Sequence, residues 1–268
     1  MKDYVVVVGG LNIDIAGLSG DVYREKDSNI GEVTINIGGV GQNIAQNLTK
    51  LGTPTHLVTV YGDDSFGKIA QMECKKNKIG LENAEQIENS RSSIYLYVND
   101  NEGDLVTGIN DMKICENITP EFLAKRLDFI NGAKIVVVDC NLSQESIEWL
   151  CENVTSPIYV DPVSVAKVDR VKNVYISLGA QGILCVKEGE AVLVKPLAKK
   201  IVSTNGAGDC SMATLVWARF NHGEELPLEE VGIYTQAAAS INVESPLAVS
   251  PELNVEEVLK RAEEGKKN

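Results

Sequence analysis

The chain is poor in the residues that build metal clusters, disulfide frameworks and nucleic-acid surfaces. It has two histidines, His56 and His222, and six cysteines at positions 74, 115, 140, 151, 185 and 210, with no C-x-x-C pair. A zinc cluster lacks its spacing, and the cysteines are expected to be reduced, partly buried thiols. Cationic side chains are scarce: 25 Lys and Arg stand against 38 Asp and Glu, a net charge of −13. Nucleic-acid affinity comes chiefly from Lys and Arg neutralising phosphates, so no nucleic-acid partner is expected. A membrane span needs about 18 apolar residues, and no run approaches that. Val5 to Val8, followed by Gly9-Gly10, is too short for a secretory signal. The expectation is a cytoplasmic protein without a membrane partner.

What is present suits a globular chain: 268 residues, 44% hydrophobic and 24% charged, enough for one sizeable core. No repeat, low-complexity tract or linker divides it, so residues 1–268 read as one domain. Tyr4–Val8 is a continuous apolar run, as in a strand buried on both faces. Similar runs recur at His56–Tyr61, Lys134–Asp139, Pro157–Asp161 and Val174–Leu178, with helical patterns between several of them. Ile44, Ala45, Leu48 and Leu51 share one helix face. Thr119-Pro120-Glu121 opens a helix to about Ile130, and Ser143 caps another to Glu152. Strands alternating with helices mean α/β: a mainly parallel sheet with helices on both faces.

One stretch departs from that alternation. Ile94, Leu96 and Val98 alternate with Tyr95 and Tyr97, a turn follows at Asp100-Asn101-Glu102-Gly103, and Leu105–Ile109 returns. This predicts an antiparallel hairpin with unlike faces. With Glu32–Ile37 it would build a second small sheet, a β lid formed by about 12–37 and 92–110.

Ser203-Thr204-Asn205-Gly206-Ala207-Gly208-Asp209 precedes a strong helical pattern. Its glycines leave the first-turn amides and the helix dipole accessible to an anion. Asp209 reads either as a dipole-stabilising acid or as a base beside a phosphate, the arrangement required for phosphoryl transfer to an alcohol. Upstream, Gly38-Gly39-Val40-Gly41-Gln42-Asn43-Ile44-Ala45-Gln46-Asn47-Leu48, ending in Leu51-Gly52, resembles the first signature of the ribokinase-like (PfkB) carbohydrate kinases. Ser203–Asp209 resembles the second. The resemblance runs from Val5 to about Pro246. Beyond the generic signatures, Asn12-Ile13-Asp14, Asp27-Ser28-Asn29, Ile109-Asn110-Asp111-Met112, Asp139-Cys140-Asn141 and Asp161-Pro162-Val163-Ser164 resemble the family's pseudouridine-kinase branch.

The resemblance implies an ATP-dependent kinase for the ribose 5′-hydroxyl of a nucleoside, with ATP and Mg²⁺ as cofactors. Pseudouridine heads the substrates; another nucleoside or a ribose-like sugar stays open. It implies Asp209 as catalytic base and Gly206, Ala207 and Gly208 as the anion hole. Asn12, Asp14, Gly39, Asn43, Asn110, Asp139 and Asn141 would contact substrate, and Ser177, Gly179, Gly182 and Asn205 would contact the nucleotide. The lid would pair two copies in a homodimer. Asp139 and Asn141 sit where α/β sheets bind ligands, although either could simply begin the next helix.

Two departures stand out. Ser203 occupies the place where the family usually has Asp, which leaves the use of a monovalent cation such as K⁺ open, and no metal ligand is assigned. Between Asp161-Pro162 and Ser177–Gly182 only about a dozen residues intervene, without the family's Asn-x-x-Glu motif, whereas a βαβ unit takes about 30. Either a stretch is missing near Lys167–Val168, which would leave an overlong Cα–Cα step and an otherwise continuous sheet, or the deletion is genuine. A genuine deletion would favour a ligand-binding protein of the same fold that does not transfer phosphate.

Overall fold

The structure is a computed structural model describing residues 3–161, 173–187, 190–198 and 200–266. The chain begins with β1 (Val5–Val8), β2 (Asn12–Ser19), β3 (Gly31–Gly38), α1 (Val40–Lys50), β4 (Thr55–Val58), β5 (Val60–Gly62) and α2 (Ser65–Lys76). There follow β6 (Glu85–Ile87), β7 (Ser93–Asn99), β8 (Leu105–Asp111), α3 (Pro120–Ala124), α4 (Leu127–Gly132), β9 (Ile135–Asp139) and α5 (Gln144–Asn153). The remainder is β10 (Ile158–Asp161), β11 (Asn173–Ser177), β12 (Ile183–Lys187), β13 (Glu190–Val194), α6 (Ala207–His222), α7 (Leu228–Val243) and α8 (Val255–Gly265).

The central sheet is parallel, in the order β10-β9-β1-β4. Successive strand side chains point to opposite faces, so the apolar run Val5–Val8 serves two cores. Val5 and Val7 pack into a cluster with Ile44 and Leu48 of α1 and Val216 of α6. Val6 and Val8 pack with Phe122, Leu123, Ile130 and Leu150 on the other side. The predicted α/β class holds. From β1 the sheet grows one way to β4, and from β9 the other way to β10, so β1 and β9 flank the switch point. Ligands of open α/β sheets bind at the carboxyl ends of such strands.

The predicted hairpin is β7–β8, part of a separate sheet in the order β3-β2-β7-β8. Its register sorts the faces. One cross-strand row holds Asn36, Asp14, Tyr95 and Asn110; the next row along holds Ile35, Ile15, Leu96 and Ile109 and points to the opposite side. Ile35 and Ile109 are 52% and 65% exposed, so this row is open at its two ends, while Ile15 between them packs against the main core.

Three expectations need correction. The helix expected from Thr119 to Ile130 is two short ones. Thr119 caps the first as expected, accepting from Phe122 N–H at 3.2 Å. The break is at Arg126, whose guanidinium donates to Phe122 O, Asn83 O and Glu85 Oε2 and so serves tertiary contacts instead of helix continuity. The run His56–Tyr61 is divided between β4 and β5. Val174–Leu178 does not extend the parallel sheet: β11 belongs to an antiparallel meander, β11-β12-β13. Among the described residues, β10 and β11 are not paired with each other. The junction Lys167–Val168 lies outside the described residues.

Candidate active site

A cleft of about 910 Å³ opens at the switch point. Its walls come from the loop after β1, the N-terminus of α1, the inner lid face, the end of β9 and the loop entering α6.

Asp139, at the end of β9, is fully buried in the wall. One carboxylate oxygen accepts from Gly10 N–H at 3.1 Å and Gly41 N–H at 3.3 Å. The other accepts from the main-chain and side-chain N–H groups of Asn141, both at 2.8 Å. Burial raises its pKa above the usual carboxylate value, against the opposing pull of these donors. Its geometry is that of a clamp joining β1, α1 and β9; Asn141 lines the cleft beside it.

Opposite, the two signatures meet. Asn43, on the first turn of α1, donates from Nδ2 to Asp209 Oδ2 at 2.8 Å across 166 positions of sequence. Asp209 lies in the first turn of α6. Gly206 caps that helix with φ +70°, where a side chain is strained, and a Cβ there would collide with Ala248 O. At Gly208 a Cβ would meet nothing within 4 Å, so the space over this turn is open. Ala207 N–H turns back to Thr204 O at 3.3 Å, and Cys210 N–H already bonds Gly206 O at 2.9 Å.

Asn12 Oδ1, Asp14 Oδ1 and Asn43 Oδ1 are buried without a hydrogen-bond partner, and all three residues line the cleft together with Gly39. Burial pushes the Asp14 carboxyl up to about 6. Gly38 makes room for it, since a Cβ there would overlap the carboxylate. Unpaired buried acceptors are costly, and three around one cleft mark a place for hydroxyl donors.

Asn205 also lines the cleft. Asn110 shares the inner lid face by register but is exposed and lies off the cleft wall, as do Ser177 and Gly179; Gly182 is buried in the turn before β12. Tyr95 and Tyr97, not among the residues expected at the site, line the cleft and stack on each other at 5.1 Å. Their alternation with Ile94, Leu96 and Val98 was the available signal. Met112, Lys113 and Glu116 also line it; they fall in and before a single 3₁₀ turn with no periodicity to read. Among the described residues no three His, Cys, Asp or Glu side chains converge on a cation position.

The sequence profile of the pfkB family carbohydrate kinases matches residues 2–169 and 157–254. The chain belongs to that family. It is thus an ATP-dependent kinase of a sugar or nucleoside. The match falls in two segments that overlap at 157–169. Pseudouridine kinase of Escherichia coli strain K12 is 29% identical, with 98% of this chain and 97% of that one covered. That comparison runs over 309 positions against the 268 residues here, so the relative has residues this chain lacks. Guanosine-inosine kinase of Exiguobacterium acetylicum is 27% identical over 70% of this chain and 63% of its own. Among solved structures, Arabidopsis thaliana ribokinase complexed with ribose and ATP has the same fold, with a TM-score of 0.83 at 20% identity, covering 98% of this chain and 99% of that one.

Proposed function

We propose that the chain transfers the γ-phosphoryl group of ATP to the ribose 5′-hydroxyl of a nucleoside, pseudouridine. The observation that carries the reading is the 2.8 Å bond from Asn43 to Asp209 beside the α6 N-terminus. It fixes the orientation of the carboxylate that takes the hydroxyl proton. The 5′-oxygen bonds to phosphorus as the bond to the β,γ-bridging oxygen breaks, the proton passes to Asp209, and ADP leaves. Gly206, Ala207 and Gly208 hold the transferring group at the positive end of the helix. The unpartnered oxygens of Asn12, Asp14 and Asn43, with Gly39, receive the ribose hydroxyls.

The α6 turn suits the nucleotide's phosphates, with Ser177, Gly179, Gly182 and Asn205 on the nucleotide side. Mg²⁺ would arrive on those phosphates, which with water supply most of its usual ligands, and would neutralise charge on the transferring group. Asp139 acts as the clamp behind the sugar site, and Asn110 meets substrate only if the lid closes further.

Tyr95 and Tyr97 support a nucleoside over a free sugar, because ribose has no flat face to stack on a tyrosine shelf. The similarity to pseudouridine kinase over nearly the whole chain favours that base. We further place the exposed ends of the lid's aliphatic row, Ile35 and Ile109, between two copies of the chain; sedimentation as a monomer at micromolar concentration would remove that assignment. The chain forms one domain carrying the lid and acts in the cytoplasm, where ATP is supplied. No helix among the described residues is long and apolar enough to cross a membrane.

The test is phosphate transfer from ATP to pseudouridine, uridine, guanosine, inosine and ribose. The expected result is the highest kcat/KM on pseudouridine. A preference for guanosine or inosine would replace the base assignment, and a preference for ribose would remove the nucleoside reading. Binding without any transfer would leave the chain a ligand-binding protein.

A further inference from the structure

The approach to α6 is fastened by one fully buried side chain that no step above uses. Asn242, near the end of α7, is 0% exposed. Its Nδ2 donates to Asn205 O at 3.1 Å, and its Oδ1 accepts from Ser250 N–H at 3.1 Å. The carboxamide therefore bridges two loops, the one entering α6 and the one following α7. Neighbouring main chain reinforces the junction: Val202 and Ser203 N–H both donate to Val243 O, at 2.7 and 3.1 Å. Gly206 sits against Ala248 O, close enough that no side chain would fit.

The consequence lies in the peptide joining Asn205 to Gly206. A trans peptide is planar, with its C=O and N–H pointing to opposite sides. Holding Asn205 O on Asn242 therefore turns the Gly206 N–H away from Asn242. Gly206 is also the N-cap of the helix that bears Asp209. The direction of this amide, and the seat of the first turn, are set by a carboxamide 37 positions away in sequence. Amide donors stabilise a transferring group only when aimed in advance.

We propose that Asn242 is a positioning residue for phosphoryl transfer: its carboxamide aims the Gly206 peptide and seats the α6 turn, without touching either substrate. The proposal rests on the reading of the α6 N-terminus as the phosphate site. It predicts a separation between turnover and nucleoside binding, because Asn242 hydrogen-bonds the α6 approach and Ser250 and neither Asp14 nor the lid.

Asn242→Asp tests it with little change of shape. The variant can still accept from Ser250 N–H, but it sets an oxygen against Asn205 O where a donor had been. Losing one oxyanion donor costs about 10²–10³ in kcat, and a misaimed donor loses part of that. The expected result is kcat lowered about 10–100-fold with KM for the nucleoside within about twofold. Hydrogen exchange should rise in 203–210 and 245–250 and stay unchanged in the central sheet. Asn242→Ala, which removes the bridge without adding charge, should show the same split. Unchanged kcat in both variants would overturn the proposal. So would an exchange increase spread through the sheet with loss of nucleoside binding, since Asn242 would then be a general core contact. If the parent protein transfers no phosphate, the kinase reading is what fails, and local exchange still reports whether Asn242 seats the loop.

Discussion

At Asp14 the demands of the site and of the fold oppose each other, and the size of the conflict can be worked out. The side chain leans into the cleft from β2, Oδ1 is buried without a partner, and burial moves its pKa from the usual 3.8 to about 6. A shift of roughly two units corresponds to about 3 kcal/mol. The folded state holds this proton more tightly than the unfolded state. Stability contributed by Asp14 is therefore present below about pH 4, falls as pH rises from about 4 to 6, and is level above that. At neutral pH the ionised carboxylate costs the empty protein up to about 3 kcal/mol, less whatever water relieves. Asp14→Asn keeps the shape and removes the charge. Urea unfolding should show the variant more stable than the parent by about 1–3 kcal/mol at pH 8, with most of the gain gone at pH 4.5. The same substitution should raise KM for the nucleoside by about 10–100-fold, since hydrogen bonds to a charged group contribute about 1.5–3 kcal/mol. In the parent, kcat/KM should drop as pH falls through about 6. A variant that is less stable at pH 8, or equally stabilised at both pH values, would refute the reasoning.

Two other substitutions separate chemistry from binding. Asp209→Asn removes the base while keeping a group for Asn43 to engage; kcat should fall about 10²–10⁴-fold with nucleoside affinity, measured by calorimetry, nearly unchanged. A kcat within threefold of the parent would remove Asp209 as base. Tyr97→Ala should weaken nucleoside binding by about 1–3 kcal/mol, the usual value for base stacking, and leave any slow phosphorylation of ribose as it was. Equal losses on both substrates would make the tyrosine a lid support.

Much of this architecture was legible in local pattern. The run Val5–Val8 reads directly as a strand with two buried faces, and it serves two cores. The alternation through 93–99 separates the tyrosines from the aliphatics on the two lid faces. Thr119 and Ser143 cap helices as their residue types predict. What local pattern could not carry is contact between distant segments. Asn43 and Asp209 were separately visible as members of two signatures, but the bond between them depends on α1 packing against α6. The break at Arg126 arises from Asn83 and Glu85, far away in sequence. Val174–Leu178 has the same apolar, β-branched character in either kind of sheet, so its antiparallel partner β12 was not legible from β11 alone.

The parallel sheet and the β11–β13 meander are separate sheets, and side chains link them. A polar junction does so at the far end of α6. Glu224 accepts from Tyr159 of β10 at 3.1 Å and from Lys187 of β12 at 2.8 Å. Arg219, 2% exposed, donates to Tyr175 of β11 at 3.0 Å and to the carbonyls of Gly223, Glu224 and Leu226. Burial raises the Tyr159 hydroxyl pKa, and the adjoining Glu224 adds to the rise, so that tyrosine stays a neutral donor. Among the described residues no main-chain ladder joins β10 to β11, and these side chains bridge the two sheets beside the packing of α7 on β12 and β13. Removing Arg219 leaves Tyr175 and the carbonyls of Gly223, Glu224 and Leu226 without their donor, and hydrogen bonds to a charged group contribute about 1.5–3 kcal/mol. Arg219→Met should therefore destabilise the protein by about that amount in urea, whereas Glu224→Gln, at a half-exposed residue that keeps one acceptor oxygen and where water can serve the other donor, should cost about 1 kcal/mol. Neither residue reaches the cleft, so kcat per folded molecule should be unchanged in both. An Arg219→Met protein as stable as the parent would mean that packing of α6 and α7 on the strands holds the two sheets together without the junction.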